Sequence, residues 1–306
     1  MRKVAGNFLD IINFQAIMNY VEIWRVTQMA AIRSFQRQMF KIAAEKHLWL
    51  TILGEIEDEP MWLIRSRENR DHNDPKFLIL SGFHGEEKAG PYSILEWLTN
   101  CDPILFKKID LSFIPIVNSI GFKKGCRYSI PGEKNNQGFC HPESGEKRSR
   151  EGDILYNNID LLLLLAKDGY LSLHEDVLVK EYYLYTFEKR RRAALTSGLL
   201  NTLGKHFNKP LDGTTTAGMT AEQISASHEV GVMVTKGWVN HRKLHDGSLE
   251  DFFYHENIPR IAVSETPGLF TLKRRVNAGK EVIDKFIELS LRSIRREKRN
   301  ALIKGE

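Results

Sequence analysis

The sequence predicts an α/β layer sandwich, with a mainly parallel or mixed sheet held between helices. Three observations carry this expectation. Phe77-Leu78-Ile79-Leu80 and the LSFIPIV stretch Leu111–Val117 are short, almost wholly apolar runs, as strands buried on both faces are. Such runs alternate with stretches of helical periodicity. The 306 residues also contain no Pro-, Gly- or Ser-rich linker and no internal repeat, so one main domain is expected.

Taken in order, apolar and aromatic residues recur at helical spacing from Phe8 to Trp24, which predicts an extra helix packed on the body. Met29 offers an alternative translation start. Ala30–His47 is again helical in pattern. Trp49–Gly54 and Met61–Arg65 read as strands around the turn-like Glu55–Pro60. Pro75 and Ser81-Gly82 bound the Phe77–Leu80 strand, and a helix is expected from Gly90 to about Asn100 with Ile94, Leu95 and Leu98 inward. Residues 119–153 are polar and without period, the mark of a functional loop. Ile159–Ala166, Tyr170–Leu173 and Arg260–Val263 supply further apolar elements, and a helix from about Lys273 to Asn300 closes the chain. The expected organisation is a helical extension over 1–46 and a main domain over 47–306.

With 42% hydrophobic and 27% charged residues the chain has material for a core, which excludes a disordered protein. The 22 Gly and 10 Pro follow no short period, which excludes a fibrous one. The longest apolar run, Leu161–Ala166, falls far short of the ~18–20 residues of a membrane span, so none is expected. A net charge of +5 gathers in Lys189-Arg190-Arg191-Arg192 and in Arg292–Lys304. No nucleic-acid signature accompanies them; they read as solvated helix faces, and no nucleic-acid partner is expected. Three cysteines (Cys101, Cys126, Cys140) are an odd set in a chain of this size, so no disulfide framework is expected, a Cys126–Cys140 bridge staying open. No clean apolar block follows Met1-Arg2-Lys3, so a secretion signal is not read and a cytoplasmic location is the expectation.

Three strand ends carry the chemistry. In Leu80-Ser81-Gly82-Phe83-His84-Gly85-Glu86-Glu87, an imidazole and a carboxylate lie three residues apart just after a buried strand. Ligands bind at the carboxyl ends of strands in such sheets, and a nitrogen–oxygen pair suits Zn²⁺ with room for a third ligand and water. The bland alternative is a polar helix start whose acids complement the dipole. Tyr170–Asp176 is a second apolar strand ending in His174, with Glu175 or Asp176 placed to accept an imidazole N–H; the alternative is a histidine bonded to backbone. Ile261–Gly268 delivers Glu265 at the end of a third strand, where a carboxylate beside a metal can move a proton; standing alone, it would read as a turn cap. Competing signatures are absent: there is no HExxH, P-loop, GxGxxG or GxSxG. The remaining histidines, including His47, His206 and His241, have no coordinating spacing and read as surface or structural.

Taken together, these segments resemble the zinc carboxypeptidase family, the carboxypeptidase A-like metallopeptidases, over roughly Trp49–Phe270. The resemblance implies a mixed sheet of about eight strands, one Zn²⁺ per chain held by His84, Glu87 and His174, and Glu265 as the catalytic carboxylate. Pro115–Phe122 is similar to the family's P-x-x-N-P-x-G stretch, with Ser119 in place of proline. Arg127 then falls where the family places an arginine facing the scissile carbonyl. Asn135-Asn136-Gln137-Gly138-Phe139 resembles the element that grips a substrate's terminal carboxylate, which implies Asn136 and Gln137 as substrate-binding residues. Gln137 stands where arginine is usual; it brings no charge and no bidentate fork. Arg148 or Arg150 is a possible substitute. The family's mobile tyrosine has no counterpart near 243–247, Tyr254 being the nearest.

The implied activity is metal-dependent hydrolysis of an amide bond next to a C-terminal residue, on a peptide or cell-wall peptide stem. The alternative hydrolase is an N-acyl-amino-acid deacylase of the succinylglutamate desuccinylase/aspartoacylase type. A silent, carboxypeptidase-like binding module is the non-enzymatic alternative, with Gln137 as its only support.

Overall fold

The structure, a computed structural model, describes residues 32–66, 74–215 and 232–304. The Phe8–Trp24 stretch and Met29 lie outside the described residues. Eight strands form one sheet in the order β1-β2-β4-β3-β5-β10-β6-β9. They are β1 (Trp49–Ile56), β2 (Glu59–Arg65), β3 (Lys76–Ser81), β4 (Asp110–Ile114), β5 (Gly169–Asp176), β6 (Tyr183–Thr186), β9 (Trp238–Asn240) and β10 (Ile261–Pro267). A separate pair is made by β7 (Gly213–Thr215) and β8 (Val232–Val234). The inner block β4-β3-β5-β10 is parallel; β1 and β2 run antiparallel to their neighbours, and β6 is antiparallel to β10 and parallel to β9. The mixed eight-stranded α/β sandwich expected from the sequence is therefore present as one domain.

Alternation along the strands explains why both faces are dry. Phe77 and Ile79 of β3 enter one apolar cluster, while Leu78 and Leu80 enter another on the opposite face. The first cluster is closed by a helix over 32–45 (α1), α2 (Ala89–Asn100), α6 (Ala194–His206) and α8 (Leu272–Lys304), through Phe35, Ile94, Leu199 and Phe286. The second is closed by α4 (Arg150–Asn157), α5 (Ile159–Leu165) and α7 (Leu249–His255), through Leu155, Leu162 and Phe253. Tyr170 and Ile261 belong to this second face. Two residues per repeat later along the same strands come His174 and Glu265, so both stand on the α4/α5/α7 side of the sheet.

Several expected boundaries shift. The strand expected over Leu111–Val117 stops at Ile114, because the chain beyond it bonds back to the β3 exit: Val117 N donates to Ser81 O and Asn118 N to Gly82 O. The stretch 119–153 contains α3 (Ser119–Lys124) and the start of α4, each capped by a side chain, Asn118 and Ser149. The Ile159–Ala166 run is helical; at seven to eight apolar residues, period alone does not separate a buried strand from a buried helix. Cys101, Cys126 and Cys140 are all free thiols, so no Cys126–Cys140 bridge forms.

Candidate metal centre

The loop leaving β3 is set by two glycines. Gly82 has φ +67, a left-handed conformation, and a Cβ there would lie 3.1 Å from Ile116 Cα. Gly85 packs so tightly on α3 that a Cβ would fall 1.9 Å from the Gly121 carbonyl carbon. This close approach carries His84 and Glu87 to the carboxyl end of the sheet. Asn118 organises the same corner: its Oδ1 accepts from Gly121 N at 2.7 Å, and its Nδ2 donates to Arg127 O at 3.1 Å. Gly85 N also donates to Arg127 O, at 3.2 Å. The asparagine of the Pro115–Phe122 stretch thus holds the histidine loop and the arginine in mutual register.

The expected residues converge. His84 Nδ1 lies 2.5 Å from Glu87 Oε1, and His174 Nδ1 lies 3.1 Å from Glu87 Oε2. The two imidazole centroids are 5.3 Å apart, and Phe83 stacks on the His174 ring. Arg127 Nη1 donates to Glu87 Oε1 at 3.2 Å and to Glu86 Oε1 at 3.3 Å. Glu265 is the direct register partner of His174 across the β10–β5 pair. Glu87 (1% exposed), His174 (5%), Arg127 (5%) and Glu265 (6%) are charged or polar groups sunk almost completely into the protein, an arrangement that costs free energy unless something pairs with them. Of these, His174, Arg127 and Glu265 line a cavity of about 270 Å³, together with His84, Tyr128, Asn135, Asn136, Gln137, Tyr185, His241, Asp246 and Glu250.

His84, Glu87 and His174 form a group able to hold a metal ion. The residues present fit one on two grounds. The Nδ1 atoms of His84 and His174 face the two oxygens of the one buried Glu87 carboxylate, so the three donors gather at a single point. The protonation states also suit coordination, which needs neutral imidazole and ionised carboxylate. Burial, then the Arg127 guanidinium, pushes the His84 imidazole down to about 4. Burial alone would raise Glu87, but the two imidazoles facing it hold its carboxyl below the ordinary carboxylate range. Glu265 is pushed well above that range by burial and then by the Glu87 and Asp176 carboxylates. Three carboxylates this close are mutually unfavourable, and a divalent cation would reverse the sign of the local field.

Other expected roles fall differently. Glu175 and Asp176 are occupied elsewhere. Glu175 accepts from Ala89 N at the start of α2 and pairs with Arg275, while Asp176 accepts from Tyr183 and Thr215 hydroxyls. Gln137 lines the cavity with a buried, unpartnered Oε1. Asn136 also lines it, but its amide is committed to α7: Nδ2 donates to Glu250 Oε2 at 2.7 Å and Oδ1 accepts from Leu249 N. Arg148 bonds Gly138 O and Asp153, and Arg150 bonds Glu57, so neither replaces the missing clamp arginine. Tyr254 stacks on Phe187 and accepts from Arg242 in a separate cleft.

Linear spacing missed several cavity residues. His241, read as surface or structural, is buried with its Nε2 2.9 Å from Asp246 Oδ2. Burial opposes its charge, but Asp246 raises the imidazole above its ordinary value. Tyr185 arrives on β6, an antiparallel neighbour of β10. The HDGSLED stretch, His245–Asp251, was the available signal for Asp246 and Glu250.

No family model matches the chain, and no curated protein matches it. Solved structures do. A candidate metallopeptidase from Shewanella denitrificans OS217 is 34% identical, with 84% of this chain and 89% of that chain covered and a TM-score of 0.71. A candidate metallopeptidase from Shewanella amazonensis SB2B is 32% identical over 84% and 92% of the two chains, with a TM-score of 0.74. A metallo-carboxypeptidase from Burkholderia cenocepacia shares the fold at 13% identity, covering 84% of this chain and 68% of that one, with a TM-score of 0.60. The chain belongs to the same family as the two Shewanella metallopeptidase-type proteins, built on a metallocarboxypeptidase-like fold.

Proposed function

We propose that the chain is a zinc-dependent metallocarboxypeptidase-like hydrolase, with zinc held by His84, Glu87 and His174. The observation that carries the reading is the convergence of these three donors beside a cavity that Glu265 and Arg127 line. Zinc bound there supplies Lewis-acid chemistry, polarising the scissile carbonyl and acidifying water. Glu265 accepts a proton from the attacking water and then passes it to the leaving nitrogen as the C–N bond breaks. The Arg127 guanidinium, held by Asn118 through its own carbonyl, faces the charge that develops on the carbonyl oxygen. Gln137 meets the substrate's terminal group by hydrogen bonding.

A second reading, hydrolysis of N-acyl amino acids, draws on the same donor set. Metal analysis combined with a hydrolysis screen over peptides with free C-termini, muropeptides and N-acyl amino acids tests both. Release of a C-terminal residue supports the first reading, and release of an acyl group from a single amino acid supports the second. A fully metallated protein that turns over none of these classes overturns the proposal.

A further inference from the structure

A second group of donors lies outside the cavity. His141, His245, Asp251 and His255 each offer one ligand atom, and these atoms all lie within 4.8 Å of one another. They come from three places in the chain: the turn after Phe139, the loop before α7, and α7 itself. Asp251 and His255 stand four residues apart on α7, so they share one helix face. His141 Nε2 is 2.9 Å from Asp251 Oδ2 and His255 Nε2 is 3.5 Å from Asp251 Oδ1. The His141 ring meets the His245 ring at 5.6 Å and the His255 ring at 5.3 Å. The Asp251 side chain is 2% exposed, a buried carboxylate whose neighbours are three imidazoles and the Cys140 thiol, whose Sγ lies 3.7 Å from Oδ2. Gly247 N donates to its Oδ2, which fixes the carboxylate toward the rings.

We propose that His141, His245, Asp251 and His255 form a second metal site, structural and separate from the catalytic one, for a borderline divalent cation such as Zn²⁺. Three imidazole nitrogens and one carboxylate oxygen complete a tetrahedral set, and a full set of protein ligands is the mark of a structural site. The position gives the ion a task. The chain around His141 and the chain around His245 already touch where Phe139 N donates to Gly247 O at 2.9 Å. These same segments present Gln137 and Asp246 to the cavity. An ion binding both would pin the wall that meets the substrate while supplying none of the catalytic groups. The inference does not rest on the proposed activity, since the two donor sets share no residue.

The test is zinc stoichiometry by elemental analysis after equilibrium dialysis against Zn²⁺ alone, on the full chain and two double variants. His245 and His255 are exposed side chains, so their replacement leaves the core intact. Two zinc ions are expected in the wild type and one in His245→Ala/His255→Ala. One is also expected in His84→Ala/His174→Ala, and in Co²⁺-loaded form that variant should show a tetrahedral visible band. Equal stoichiometry in the wild type and a folded His245→Ala/His255→Ala variant, with circular dichroism unchanged, overturns the proposal. Loss of one ion only in His245→Ala/His255→Ala upholds this site and removes the catalytic assignment instead.

Discussion

Glu265 and His174 stand side by side as register partners on the parallel strands β10 and β5, on the same face of the sheet. Neighbouring strands lie ~4.8 Å apart, and paired residues of adjacent strands point the same way. A carboxylate and an imidazole separated by 91 positions in the chain are therefore held side by side by backbone hydrogen bonds alone. That rigidity suits a group that must meet a reacting atom within a few tenths of an ångström.

Glu265 is proposed as a proton acceptor and not a ligand, so Glu265→Gln should retain metal and lose turnover. Removing a general base typically lowers rate ~10²–10⁴-fold. Paired metal analysis and kcat measurement check this, and near-normal kcat would move the base elsewhere.

His84→Ala should lose the catalytic metal. Its Nδ1 faces Glu87 Oε1, and truncation removes one of the three converging donors. Bound metal per chain, compared with wild type, decides the matter, and an unchanged ratio would exclude His84 as a ligand.

Gly85→Ala tests whether the loop geometry, and not the ligands alone, makes the site. The added methyl would meet the Gly121 and Phe122 backbone at 1.9–2.3 Å, and forced overpacking costs roughly 1–3 kcal/mol. Denaturant midpoint and zinc affinity should both fall. A variant of wild-type stability and affinity would show that the loop relaxes freely.

At Gln137 the expected change is one of preference. Gln137→Arg should raise kcat/KM for a substrate with a free α-carboxylate relative to its amide by about tenfold, near the lower end of what a charge-assisted bond of ~1.5–3 kcal/mol supplies. An unchanged ratio would mean that this side chain does not face the substrate terminus.

The His241–Asp246 pair gives a pH signature. His241 is raised from its ordinary value, so its contribution to stability is complete below pH ~6.5 and fades as pH climbs through the raised value. Burial opposes the charge of Asp246, but His241 and then Ser248 lower it to about 2, so its contribution is present above pH ~4 and is lost toward pH 2. The stability difference between wild type and His241→Gln should therefore be largest between about pH 4 and 6.5. A difference that grows above pH 8 would contradict the ion pair.

What the sequence alone determined was whatever depends on neighbours in the chain. Phe77–Leu80 and Ile261–Val263 announce buried strands by composition, and turn residues after them announce that His84 and Glu265 sit at strand ends. The HxxE spacing and the resemblance it belongs to bring Glu87 and His174 into the same reading. Tertiary structure decided everything that depends on which strands become neighbours. Glu175 and Asp176 follow His174 directly, yet Glu175 points into the start of α2 and Asp176 to the hydroxyls of Tyr183 and Thr215, because packing claims both. Asn118 was legible as part of a motif, but its grip on the Arg127 carbonyl exists only once α3 docks against the β3 exit. His241 and Asp246 enter the cavity, and His141, His245 and His255 gather around Asp251, from segments with no shared spacing. Periodicity and motif record short-range order along the chain, whereas such clusters are made by long-range contacts whose partners the linear pattern does not name.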